Sequence, residues 1–172
     1  GETQPATFVK SSVKRTASLR ASRELFEIRS GIAELQLIKT TGSSFAGFMT
    51  DRFTTLPPTS SRLLQTSVQV TWGYTCANVD FTTIWERVRD LTVDTFATHE
   101  SKSVQHTLFA IAEAVLAGNP EIADIDIVLP NQHCQVVDLA PFGLENREEV
   151  FVPVNEPYGQ ISARVSRAEV AR

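Results

Sequence analysis

The sequence has few cysteines, no excess of positive charge and no long apolar run. Two cysteines in 172 residues are too few for the disulfide framework of a small secreted protein, so we expect both to be buried, reduced thiols. The 16 lysines and arginines stand against 20 acidic residues, so we expect no nucleic-acid partner. No apolar run reaches the roughly 20 residues that a membrane span requires. We therefore expect no membrane partner.

The two ends of the chain carry further expectations. The chain begins at Gly1 without a methionine and runs directly into strand-like segments at residues 7–10 and 15–19. We therefore expect either a removed tag or a piece of a longer polypeptide. The last three residues, Val170 to Arg172, are not a peroxisomal Ser-Lys-Leu signal, so a bacterial cytoplasm is the expected location.

Alternating side chains predict two consecutive strands. In residues 31–40, Ala33, Leu35 and Leu37 share one face and polar residues occupy most of the other. In residues 64–74, every second residue from Leu64 to Tyr74 lies on one face, and all of them are apolar or aromatic except Thr66. One face of the resulting sheet must be covered.

Helical spacing predicts that cover. Apolar residues from Phe81 to Thr95 recur on one side behind Asp80, which is a good N-cap, and Ser103 can cap a second helix that stops near Gly118. Short strands follow at residues 124–129, 135–139, 150–152 and 161–165. The ββααββ order predicts an α+β fold, in which an antiparallel sheet carries both helices on one face.

The chain divides into two predicted parts. Residues 1–28 are more polar and lack a helical stripe, so we interpret them as a linker or hairpin from the end of a preceding N-terminal domain. Residues 29–172 form the α+β domain.

Five local strings in the loops and at the starts of elements make this pattern specific. They are GSSFAGF at 42–48, DRFTTL at 51–56, SR at 61–62, SVQHTL at 103–108 and LPNQH at 129–133. In this order and at this spacing, they resemble the C-terminal half of the urate oxidase (uricase) family across nearly all of residues 31–165. Any one string alone would be a weak match.

The resemblance implies a fold, a reaction and a set of partners. The fold is the tunnelling (T) fold, of which each family subunit carries two domains, and this chain resembles the second. The family oxidises urate with O2 and water to 5-hydroxyisourate and hydrogen peroxide, without a metal or other cofactor. The family's catalytic Lys and Thr lie in the N-terminal T-fold domain of a neighbouring subunit in a homotetramer. That domain is absent from this chain, which would supply only half of each site.

The resemblance also implies five purine-binding positions. Urate is flat and anionic, so its site needs a stacking surface and in-plane hydrogen bonds. Phe45 corresponds to the stacking aromatic, and Arg62 to the guanidinium that grips the pyrimidine ring in a fork. Leu56 would pack against the ring edge. Gln105 corresponds to the amide that faces the purine edge, and Val104 would offer its backbone N–H at the start of the second helix.

Two further positions are implied near the end of a strand. Asn131 corresponds to the residue that holds oxygen or water above the purine and also contacts the substrate, and His133 to the histidine of a proton relay. Being two residues apart on a strand, they are predicted to point to the same side. Cys134 should point to the other side, which argues against a metal site with His133.

These candidates also have ordinary structural interpretations. Phe45 would be a core aromatic, Leu56 a loop anchor, and Arg62 and Gln105 solvated surface residues. His99 and His106 lie outside the family's site residues and are interpreted as solvated or helix-end residues.

Two other functions stay open. The chain could be a non-catalytic T-fold fragment that binds purine or stabilises an assembly. A T-fold enzyme acting on pterins would instead carry a zinc-type His/Cys set, or an acidic anchor at the position of Gln105, and the sequence has neither.

Overall fold

The computed structural model describes residues 6–10, 12–23, 26–55 and 57–167, apart from the side chains of residues 155–157. The chain order is β1 (Thr7–Val9), β2 (Lys14–Ala21), β3 (Phe26–Lys39), β4 (Leu64–Tyr74), α1 (Phe81–Thr98), α2 (Val104–Gly118), β5 (Ile122–Val136) and β6 (Phe151–Ser166). A short 3-10 turn, Ala140–Phe142, lies between β5 and β6.

The strands form one antiparallel sheet in the order β1-β3-β4-β5-β6. β2 also pairs with β3, on the edge that β1 shares. The strand-like segments near residues 7–10 and 15–19 are therefore strands of this sheet. The domain boundary at residue 28 stays a prediction.

Both helices pack on one face of the sheet. Every second residue of β4 from Leu64 to Trp72 is buried, as the alternation predicted. These side chains meet the buried stripe of α2, which includes Leu108, Ile111 and Val115. The predicted α+β architecture is confirmed.

Both predicted helix caps are present. The Asp80 side chain accepts hydrogen bonds from the backbone N–H groups of Thr82 and Thr83, and Ser103 Oγ accepts one from His106 N–H at 3.1 Å. α2 ends at Gly118, where the sequence predicted a stop. These bonds satisfy N–H groups that have no acceptor within the helix.

The predicted inward face of β3 is partly wrong. The pairing with β4 shifts by one residue between Ile32 and Leu35, and Glu34 within this bulge has a φ of 58°. The inserted residue interrupts the alternation. Ile32 therefore lies in the core with Leu35 and Leu37, whereas Ala33 is only half-buried.

Two smaller predictions also need correction. The predicted short strands after α2 belong to two long strands of 15 and 16 residues, because each continues beyond its apolar stretch. Residues 137–139 and 150, which were predicted as strand, lie outside both. In α1, the buried stripe continues through Thr92 to Phe96, while Leu91 and Thr95 are half-buried.

The two cysteines are free thiols, as expected, but they are not both buried. Cys76 is exposed and Cys134 is half-buried. Burial raises the pKa of the Cys134 thiol. In the described part of the chain, neither helix is long and apolar enough to cross a bilayer.

Candidate functional site

The loop between β3 and β4 presents two stacked aromatic rings. Phe45 and Thr59 exchange both backbone hydrogen bonds at 2.9 Å, which closes the loop. Gly47 has a φ of 74°, a conformation that glycine adopts without a steric penalty. The chain turns there, and the ring of Phe48 stacks on that of Phe45 at 4.6 Å. The position of the Phe45 ring is thus held by the backbone hydrogen bonds to Thr59 and by the stacked ring of Phe48.

Arg62 lies beside this pair of rings. Its guanidinium carbon is 5.6 Å from the centre of the Phe45 ring, and its backbone N–H donates to Ser43 O at 3.0 Å. Nε and Nη2 of Arg62 are buried and have no hydrogen-bond partner within the described residues. Burial lowers the pKa of Arg62. Since buried donors are normally paired, this guanidinium is suited to a planar anionic ligand next to Phe45.

The start of α2 is tied to the same loop. Ser44 N–H donates to Ser101 O at 2.7 Å, and Ser101 N–H donates to Gly42 O at 2.9 Å. Ser101 precedes the Ser103 cap by two residues. Val104 is buried, whereas Gln105 is exposed. These backbone hydrogen bonds therefore attach the Phe45 loop to the linker between α1 and α2. That linker leads directly into the first turn of α2 and its free N–H groups.

Asn131 and His133 lie on β5. The pairs Gln65↔Gln132 and Gln69↔Val128 are four residues apart on both β4 and β5. This equal spacing puts Asn131 and His133 on the same face of the sheet as the helices. Asn131 is half-buried and His133 is exposed. Cys134 belongs to the other face, where its Sγ is 3.4 Å from Gln65 Oε1. This geometry agrees with the prediction that Asn131 and His133 point to one side.

The predicted residues are not all joined. No direct hydrogen bond connects Arg62, Gln105, Asn131 and His133 in the part of the chain that the structure describes. Leu56 lies outside the described residues. The direct link is between Phe45 and Arg62, and the start of α2 is connected to them through the backbone.

Arg62 also lines a cavity of about 500 Å³ with Thr40, Thr59 and other residues. Phe45, Gln105, Asn131 and His133 do not line it. Two of its lining residues, Glu148 and Glu149, would repel an anion. The Phe45 side of the guanidinium is therefore better suited to an anion than this cavity.

The sequence interpretation missed two features of the site. One is the stacking of Phe48 on Phe45, for which two phenylalanines flanking a glycine are a readable signal. The other is the attachment of the loop to Ser101, which joins backbones 57 residues apart and leaves no local signal. Within the described residues, no group of three or more His, Cys, Asp or Glu side chains could hold a metal.

Comparisons with known proteins agree on one family. The family model described as Uricase matches residues 28–162. The uricase of Arthrobacter globiformis is 42% identical over 153 residues, covering 89% of this chain and 51% of that protein. The uricase of Danio rerio is 39% identical over 150 residues, covering 84% of this chain and 50% of that protein.

Solved structures share the fold. The crystal structure of uricase from Arthrobacter globiformis matches with a TM-score of 0.88 at 41% identity, over 92% of this chain and 55% of that chain. A hyperthermostable mutant of Bacillus sp. TB-90 urate oxidase matches with a TM-score of 0.75 at 26% identity, over 93% of this chain and 55% of that chain. The two helices on an antiparallel sheet are thus the T fold of these enzymes.

The chain spans about half the length of the curated relatives it matches. The similarity nevertheless covers most of the chain itself, and it includes the loop, the helix start and the strand described above. On this evidence, the chain belongs to the uricase family.

Proposed function

We propose that this chain is the purine-binding half of a urate oxidase that converts urate, O2 and water to 5-hydroxyisourate and hydrogen peroxide. The observation that carries the proposal is the Arg62 guanidinium, whose buried Nε and Nη2 have no partner within the described residues and which lies 5.6 Å from the Phe45 ring. A planar anion that stacks on Phe45 would give these donors their acceptors.

In this proposal, five residues fix the plane of the purine. Phe45 stacks on its face, and Arg62 donates parallel hydrogen bonds to the pyrimidine ring edge. Gln105 offers an amide donor and acceptor from the first turn of α2, where Val104 contributes its backbone N–H. Leu56 packs against the ring edge.

The chemistry then requires proton and electron transfer above that plane. Urate gives two electrons to O2, which leaves as hydrogen peroxide after taking up two protons, and the oxygen atom of water becomes the new hydroxyl group of the purine. Asn131 is proposed to hold O2 or water, and His133 to relay protons. No metal or cofactor is assigned a part, because the purine itself supplies the electrons.

The proton-abstracting base is proposed to come from a second chain segment. A Lys and Thr pair in an N-terminal T-fold domain would reach the purine from a neighbouring subunit of a homotetramer. The length of the relatives supports this, since the chain covers 51% of the Arthrobacter globiformis enzyme.

The test compares the 172-residue chain with the same chain mixed with the N-terminal half of the enzyme. We expect no urate oxidation by the chain alone, and loss of urate absorbance with matching hydrogen peroxide formation by the mixture. Urate oxidation at a normal rate by the pure chain, with its mass confirmed, would show that the base lies in this sequence.

A second candidate function is a purine-binding or structural fragment without turnover. The observation that favours it is that the chain covers only about half of each relative, so a part of the enzyme that turnover requires would lie outside this chain. Urate binding by the mixture without any hydrogen peroxide would support this candidate and refute the oxidase proposal.

A further inference from the structure

The linker between α1 and α2 supports the purine-binding part of the candidate site. Ser101 is hydrogen-bonded to Gly42 and Ser44 on the Phe45 loop, and Ser43 O in turn accepts the backbone N–H of Arg62. Ser103, in the same linker, caps the helix that carries Gln105. A shift of this linker would therefore move the stacking ring, the guanidinium and the amide together.

Two histidines close the ends of the linker. His99 is the C-cap of α1 and His106 lies in the first turn of α2, and their rings meet edge to face with centres 4.3 Å apart. His106 Nδ1 accepts the backbone N–H of Lys102 at 3.3 Å, which only an unprotonated nitrogen can do. His99 Nε2 is buried without a partner within the described residues. The pair therefore fits together as two neutral rings.

Charged groups from β3 and from the linker face this pair. Lys39 at the end of β3 is 4% exposed, and its Nζ donates to His99 O. Glu100 and Lys102 flank the pair within the linker. The pKa of His99 is lowered by its burial first, then by His106 and Lys39, while Glu100 opposes the shift. A proton on His99 would thus place a second positive charge near the buried ammonium.

We propose that His99 and His106 are positioning residues for the purine-binding loop, which they hold in its binding shape through Ser101 while both rings are neutral. The consequence for urate rests on the proposed function. Protonation of either ring breaks the fit, because His106 Nδ1 loses its acceptor role and His99 gains a charge close to Lys39. The Ser44–Ser101 hydrogen bond then opens more often, and the loop presents Phe45 and Arg62 less well.

The first measurement follows amide hydrogen exchange of the chain from pH 8 to pH 5 without urate. We expect the protection factor of the Ser44 amide to fall as the pH falls, while that of Val70 in the sheet centre changes little. The second measurement follows urate binding in the presence of the N-terminal half. The dissociation constant is expected to rise by roughly fivefold or more over the same range.

His99→Phe and His106→Gln separate positioning from simple structural support. Phe keeps a ring at position 99 without a titrating nitrogen, and Gln keeps an acceptor at position 106. In each single variant we expect the Ser44 protection factor to depend less on pH than in wild type, because the other ring can still be protonated, and in the double variant to become independent of pH. In all three, kcat at saturating urate in the presence of the N-terminal half should be unchanged at pH 8. Lys102→Gln serves as the matched control, since it removes a charge from the linker but keeps the backbone N–H, and it should retain the wild-type pH profile.

The outcomes are distinguishable from those of the proposed function. A Ser44 pH profile that is the same in wild type and in both variants overturns the positioning role, and the second variant decides if the first fails to fold. Failure to bind urate at any pH, with a normal Ser44 profile, refutes the proposed function and leaves the histidine support standing.

Discussion

Arg62 is the single residue on which the proposed site depends most. We expect Arg62→Lys to weaken urate binding by well over tenfold in the assembled enzyme, because an ammonium keeps the charge but cannot donate two parallel hydrogen bonds in one plane. Urate titration of both proteins measures the effect. Near-normal affinity in the variant would remove Arg62 from the site.

Arg89 offers a matched control. Its guanidinium carbon lies 5.5 Å from the Trp85 ring, close to the 5.6 Å between Arg62 and Phe45, but it belongs to α1 and pairs with Asp90. Arg89→Lys should leave urate affinity unchanged. Equal losses in both variants would point to a general effect of arginine replacement.

Single residues also show where prediction from sequence ends at the site. Phe45, Arg62 and Gln105 stand in local strings, so their candidacy could be read directly. The contact of Lys39 with His99 spans 60 positions, and no local pattern marks it. This contact forms only because folding brings the end of β3 next to the end of α1, and the sequence around either residue does not reveal that arrangement.

At the scale of elements, the cap of α1 predicts how stability depends on pH. The pKa of Asp80 is lowered chiefly by hydrogen bonds from the backbone and side chain of Thr83. Because the folded pKa is depressed, this stabilisation is present above the carboxyl's unfolded value, about 3.9, and is lost as the pH falls through the folded value. Asp80→Asn keeps a cap that does not titrate. Urea unfolding between pH 6 and pH 3 should therefore show a shallower loss of stability in the variant.

Two glycines in strands give a sharper contrast. A Cβ added at Gly31 would lie 2.8 Å from the Val70 carbonyl oxygen and 2.5 Å from Thr16 Oγ1, and backbone cannot move aside as a side-chain tip can. We expect Gly31→Ala to lower the free energy of unfolding by about 1–3 kcal/mol. At Gly159 the nearest atom within 4 Å is Ile161 Cδ1 at 3.9 Å, so Gly159→Ala is the control. Thermal unfolding that ranks the two variants equally would contradict this explanation.

The sequence predicted some strands and helices more accurately than others. β4 was read correctly along its length, since its alternation from Leu64 to Trp72 is unbroken. The prediction for β3 is wrong at Ala33. The sequence alternates regularly there, but the bulge adds one residue to the strand, so the buried side chain is that of Ile32. The Asp80 and Ser103 caps were predictable, since capping depends on residues within one turn.

At the scale of the whole molecule, large apolar side chains remain exposed at one edge of the sheet. Phe8, Leu19 and Phe26 lie on β1, β2 and the start of β3 and are each more than half exposed. Such an edge is a template for association. We expect the chain alone to self-associate, with light scattering that rises with concentration and falls when the N-terminal half is added. A monomer at every concentration would contradict this expectation.

The proposed reaction also predicts that the assembled enzyme needs no cofactor. We expect exhaustive chelation, followed by removal of the chelator, to leave urate oxidation by the assembled protein unchanged, because the substrate supplies both electrons. Hydrogen peroxide formation before and after treatment is the measurement. Lost activity that one added metal restores would overturn the cofactor-free assignment.

The bulge in β3 has a consequence for the gene. Loss of the Glu34 codon would remove the inserted residue and give β3 one unbroken alternation, with Ile32, Leu35 and Leu37 all still facing the core. Loss of the Gln36 codon would instead turn Leu37 and Lys39 to the opposite face. Paired single-codon deletions should therefore differ in soluble yield and melting temperature, with the deletion at Glu34 tolerated better. The bulge therefore marks a position where the gene can lose one codon while the same side chains stay buried.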